Sequence, residues 1–280
     1  MWSRLALLVV SAGAALGCVP SLGTFEPART VPAGHLQVTT SVDYSDTSGP
    51  IREAIDGARA LANTTGPLTR EELGIAADAT GAALVHAPSV GYQVSVAYGL
   101  SRRFEVGARS SMSAVRGWGR WQFLRVSPGF YGALGLGVSG YLYGFPVQRF
   151  VQEIRVDGFT RWDVDIPLQL GFSSQVFHIW GGPKLVLSSY DADIGVCMAA
   201  RGEACSSQAE VTLSGTAAYV AAQLGAAIGY RQWWIAAELT VARVGTSGEL
   251  ALSHGRTSDS QPFDHDGLVI APAVGLMVWF

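Results

Sequence analysis

The residues of this sequence that could do chemistry are few and scattered. Five histidines, His35, His86, His178, His254 and His265, are the candidate general bases. A base activates a serine hydroxyl only within hydrogen-bond reach and with a third group orienting the imidazole. His86 stands three residues before Ser89, and Ser253 adjoins His254, but neither pair has an orienting acid at a fixed spacing. Asp264-His265-Asp266-Gly267 offers carboxylates to a divalent cation yet lacks the ligand count of an ion-binding loop, so it reads as a solvated turn. The glycine-rich stretch GALGLGVSG, residues 132–140, sits inside an alternating segment and opens no helix, so it is no phosphate cradle. Of the three cysteines, Cys197 and Cys205 lie close together in a polar stretch and can oxidise into a loop disulfide in an exported protein. That pair offers too few ligands for a metal site. No metal, cofactor or nucleotide fingerprint is read, and a net charge of −3 gives no basic stripe for nucleic acid.

The more informative charges are Glu105, Arg109, Arg120, Arg161, Asp163, Asp165, Lys184 and Glu238. Each falls on the opposite parity from a row of large apolar residues. In Pro88–Ser111, for instance, Val90, Tyr92, Val94, Val96 and Tyr98 alternate with Gly91, Gln93, Ser95 and Ala97, and Phe104 and Val106 with Glu105 and Gly107. Charged residues make up only 15% of the 280-residue chain, against about 25% in soluble domains, and glycines number 34. Past the N-terminus there is no uninterrupted apolar run of about 18 residues, so no helix is written to cross a bilayer. Low charge, abundant glycine and period-two alternation together predict an all-β transmembrane barrel, antiparallel and up-and-down. Its lipid face takes the apolar parity. Its lumen takes the charged one, paired into a buried polar network because isolated charge there would be costly.

About ten segments are long enough to cross when tilted: 35–44, two within 88–111, 117–126, 130–144, 160–172, 175–188, 211–229, 233–244 and 268–280. Connections alternate between short turns (Ser101-Arg102-Arg103, Ser127-Pro128-Gly129, Ser173-Ser174, Arg231-Gln232) and longer loops. Short turns belong on the periplasmic side, and an even strand number brings both chain ends there. Phe104, Phe130, Phe172, Phe177, Tyr230, Trp233 and Phe280 flank the short turns as one interfacial belt. Residues 1–18 read as a cleaved secretory signal, 19–34 as a periplasmic segment, and 35–280 as the barrel, carrying an external insert over 46–87. Within the insert, Ile51–Ala62 has helical composition, and Thr69 with Glu72 forms a capping pattern for a second short helix.

Two stretches resemble known signals. Ala15-Leu16-Gly17-Cys18 resembles a bacterial lipobox, which implies lipidation of Cys18 after cleavage. The terminal LVIAPAVGLMVWF resembles the C-terminal assembly signal of Gram-negative outer-membrane β-barrel proteins, with Val274, Leu276 and Val278 alternating up to Phe280. VAYGLSRRFEVGAR also resembles the turn-centred repeat of uncharacterised bacterial barrels. These resemblances imply the outer membrane as location, and its lipids and the barrel assembly machinery as partners. The class holds many activities. The expectation here is a non-enzymatic barrel, either structural and surface-interacting or a narrow conduit for a small solute. A lipid-modifying barrel enzyme is the alternative.

Overall fold

Side chains of a strand point alternately to its two faces, so a chain with one oily and one polar parity must curl until the polar face meets itself. The computed structural model describes residues 21–49, 89–111, 113–126, 129–141, 154–197, 208–254 and 257–280. It contains ten strands: β1 (Leu36–Ser48), β2 (Ser89–Gly99), β3 (Phe104–Ser111), β4 (Ala114–Val126), β5 (Phe130–Tyr141), β6 (Ile154–Ser173), β7 (Phe177–Cys197), β8 (Gln208–Tyr230), β9 (Trp233–His254) and β10 (Thr257–Trp279). Each pairs antiparallel with its chain neighbours, and β1 pairs with β10 to close the barrel. The seam ends on two reciprocal bonds, Phe280 N–H to Leu36 O at 2.8 Å and Leu36 N–H to Phe280 O at 3.2 Å.

The lipid-facing band can be traced residue by residue. On β8 the outward face is Ala218, Val220, Ala222, Leu224, Ala226, Ile228 and Tyr230, all exposed. At about 3.3 Å per residue and about 40° of tilt that run is about 30 Å tall, one hydrocarbon core. Beyond Ala218 the same face turns polar, through Thr216, Ser214, Thr212 and Glu210. Neighbouring strands change at the same level. Leu187 gives way to Ser189 on β7, Val241 to Arg243 on β9, and Leu268 to Asp266 on β10. Arg243 and Asp266 form an exposed ion pair of 3.3 Å there. Above this level the polarity reverses. The inward residues become Tyr190, Ala192, Val211, Leu213, Leu250 and Phe263, buried in one apolar cluster, while the outward ones are Ser, Thr, Asp and Glu.

This reversal corrects the segment boundaries. Strands β6 to β10 run 20, 21, 23, 22 and 23 residues, well past the membrane, whereas β2 and β3 have only 11 and 8. Ser253, His254 and Asp264–Gly267, read from sequence as loop and turn, lie on β9 and β10, and Cys197 ends β7. Asp46–Ser48, assigned to the insert, continue β1, and Arg116, assigned to a loop, lies on β4. A pattern keyed to outward apolar residues ends where lipid ends, although the hydrogen-bonded ladder does not. Cys18, His86, Cys205 and residues 50–88, which include both helices read in the insert, lie outside the described residues.

The band boundary makes a direct prediction. Leu224→Arg, mid-band, should destabilise the barrel by about 2–4 kcal/mol. Thr212→Arg, on the same face above the band, should stay within about 0.5 kcal/mol. Denaturant titration of the barrel folded into vesicles measures both.

Candidate functional site

The inward parity of β3 to β9 collects the charges singled out in the sequence. Glu105, Arg109, Arg120, Arg161, Asp163, Asp165, Lys184 and Glu238 are all buried, pointing away from lipid. They form two groups. Arg161 donates from Nε to Asp163 Oδ1 at 2.9 Å and from Nη2 to Ser188 and Tyr219, while Tyr141 donates to Asp163 Oδ2 at 3.0 Å. Lower in the barrel, Arg116 grips Asp165 through two bonds of 2.7 and 2.6 Å, and Arg120 meets Glu105 at 3.1 Å. Arg116 is the member that sequence reading missed. It sits one residue before the segment that was read as strand, and its parity with Arg120 and Gln122 was the available signal.

These residues face one another only in part; their main partner is the chain's own N-terminal segment. From sequence, residues 19–34 are expected in the periplasm. Residues 21–32 instead run up inside the barrel from its periplasmic end. The reason is visible in the bonding, because lumenal charges that could not all pair across the barrel are satisfied by peptide groups. Glu238 accepts the backbone N–H of Thr24 at 2.7 Å and of Phe25 at 3.1 Å, and Glu105 accepts that of Val31 at 2.7 Å. Lys184 donates to Leu22 O at 3.0 Å, Gln223 to the same oxygen at 3.1 Å, and Arg109 to Gly23 O at 2.5 Å. Arg120 donates to Pro27 O, and Gln122 accepts from Thr30. The segment's Glu26 carboxylate completes the lower group, 2.5 Å from Arg116 Nη1 and 4.0 Å from Arg120 Nε.

Apolar contacts index the segment as well. Leu22, Phe25, Ala28 and Val31 recur every third residue and are each only 1 or 2% exposed. Leu22 enters the upper cluster with Val186, Tyr190 and Tyr219. Phe25 and Ala28 pack with Trp180, Trp234 and Met277, and Val31 with Ala97 and Trp118. Phe25 has a φ of 50°, left-handed for a bulky residue, and such backbone persists only where its surroundings over-determine it. Here Glu238 captures two successive N–H groups and Trp180 Nε1 donates to the same carboxylate at 3.1 Å. Gly34, with φ of 77°, supplies the turn from the segment into β1. Gly99 lets the chain pass over β2, since a Cβ there would overlap the carbonyls of Val31 and Pro32.

Among the described residues the other candidates do not assemble a nucleophile; His86 and the side chains of Ser253 and His254 lie outside them. Ser89 Oγ lies in the interior, 3.0 Å from Ser45 Oγ. His178 stacks between Trp234 and Trp279 near the periplasmic turns, and His35 Nδ1 lies 2.9 Å from Phe280 O at the seam.

Two predictions test this arrangement. Arg116→Ala removes the cation shared by Glu26 and Asp165, leaving Glu26 only Arg120 at 4.0 Å, and should cost about 3–5 kcal/mol in unfolding titrations. Gly99→Ala should displace the segment where it enters, read as roughly tenfold faster tryptic cleavage after Arg29 while the barrel stays folded.

No family model matches the chain, and no curated protein matches it. Solved structures do. The outer membrane protease OmpT from Escherichia coli covers 90% of this chain and 98% of its own, at 9% identity and a TM-score of 0.48. The attachment invasion locus protein Ail of Yersinia pestis covers 89% and 99%, at 9% identity and a TM-score of 0.31. The outer membrane protein AlkL covers 93% and 94%, at 10% identity and a TM-score of 0.31. Nothing about activity transfers at such distances. The chain's own closed ten-strand sheet, apolar on its outer face and charged towards its lumen, is the fold of a membrane-spanning β-barrel.

Proposed function

We propose that this chain is a sealed, non-enzymatic outer-membrane barrel that works through its external surface. The observation that carries this reading is the lumenal segment. Residues 21–32 occupy the membrane-level interior and bond to side chains of β3, β4, β7, β8 and β9, which supports an interior closed to solutes. The free surface that remains is outside. Strands β6 to β10 rise past the lipid band as a tall wall on one side of the barrel, with a polar outer face and an apolar inner one. Strands β6 to β10 carry about two-thirds of the strand residues, and their stretches above the lipid band are the part available to a partner.

A narrow conduit is the second reading, and it requires the segment to leave. Planar-bilayer recording separates the two. The full chain should give no channel events, and a barrel lacking residues 21–32 should conduct. Steady conductance from the full chain would overturn the sealed reading. Release of acyl groups from labelled lipid by the purified barrel would overturn the non-enzymatic one.

A further inference from the structure

The lumen does more than exclude water. It recognises a polypeptide backbone. Carboxylates stand where peptide N–H groups arrive, as Glu238 does for Thr24 and Phe25 and Glu105 for Val31. Cations and amides stand where carbonyls arrive, as Lys184 and Gln223 do for Leu22, Arg109 for Gly23 and Arg120 for Pro27. Separate recesses take the side chains. Trp180 and Met277 receive Phe25, Trp118 and Ala97 receive Val31, and Arg116 with Arg120 receives the Glu26 carboxylate.

We propose that the lumen is a binding site for an extended, glutamate-bearing peptide with an apolar residue at every third position, and that residues 21–32 fill this site in cis. The match runs along successive N–H and C=O groups and includes a backbone held left-handed at Phe25, so it is fitted to this run of peptide in particular. The segment also meets the barrel wall at an exposed joint, Ala33-Gly34-His35, at the periplasmic end. The ligand is therefore a peptide that enters from the periplasm, and the tether supplies the cis copy at high effective concentration.

The inference extends the sealed-barrel reading but is tested on binding, so a conducting full chain and a failed titration are separate outcomes. A protease site is placed at Ala33-Gly34 in the full chain, the barrel is folded, and the joint is then cut. Fluorescent synthetic peptide SLGTFEPARTVP, residues 21–32, is titrated into the cut barrel and followed by anisotropy. The expected result is saturable binding with exchange of the cut segment. Weakening should be roughly tenfold or more for peptides carrying Glu26→Gln or Phe25→Ala, since each removes a buried partner. A scrambled peptide should not compete. Three results would each overturn the proposal: loss of the folded barrel on cutting, permanent retention of the cut segment without exchange, or equal binding of native and scrambled peptides. The peptide variants leave the barrel sequence untouched, so a folding defect cannot mimic the outcome.

Discussion

The structure depends on one constraint: inside a bilayer no polar group can borrow a hydrogen bond from water. Closing the sheet satisfies the backbone of the strands. It then creates a second demand, because the charged parity is trapped in a narrow interior. Arg116 answers part of it with Asp165 and Arg161 with Asp163. Glu238, Lys184 and Arg109 find peptide groups of the entering segment instead. A ten-strand wall and a polypeptide within it are thus a single hydrogen-bonding solution. Neither half is complete alone, since an unpaired ion in that setting costs far more than a paired one contributes.

The second organising feature is the change of polarity at the outer water level. Below it the barrel is inside out relative to a soluble protein. Above it, at Tyr190, Leu213, Leu250 and Phe263, it has the ordinary arrangement of oil within and polar residues without. The same strands pass through both regimes without a break in pairing, as the continuous β8–β9 register from Glu210 to Tyr230 records. A strand has no preference for which face is wet. The medium decides, and the residues on each side of Leu187, Ala218 and Leu268 are chosen accordingly.

That change also explains how far the molecule could be read from its sequence. Strand number, parity, turn sides and the inward position of Glu105, Asp163 and Glu238 were legible because alternation with period two is a local signal. Strand ends on β6 to β10 were not, because the pattern sought was outward apolarity, and Thr212, Ser214 and Asp264 carry none. The lumenal segment was illegible for a different reason. SLGTFEPARTVP has no secondary structure of its own, and its apolar residues every third position describe neither a helix nor a strand. Its place is dictated by charges far along the chain, from Glu105 to Glu238, which only closure brings together. Arg116 was lost because the segment was read from Gly117, whereas β4 begins at Ala114.

The position of the segment immediately before β1 bears on how the molecule comes into being. β1 is half of the closing seam, and the side chains that hold residues 21–32 are spread over β3, β4, β7, β8 and β9. Those holders are arranged around a common axis only when the sheet is nearly curled. Biogenesis must therefore bring residues 21–32 to the hollow side of the sheet, either before the first and last strands meet or through the periplasmic mouth afterwards. A chain caught with that stretch on the lipid side would finish as a hollow cylinder with its ions bare.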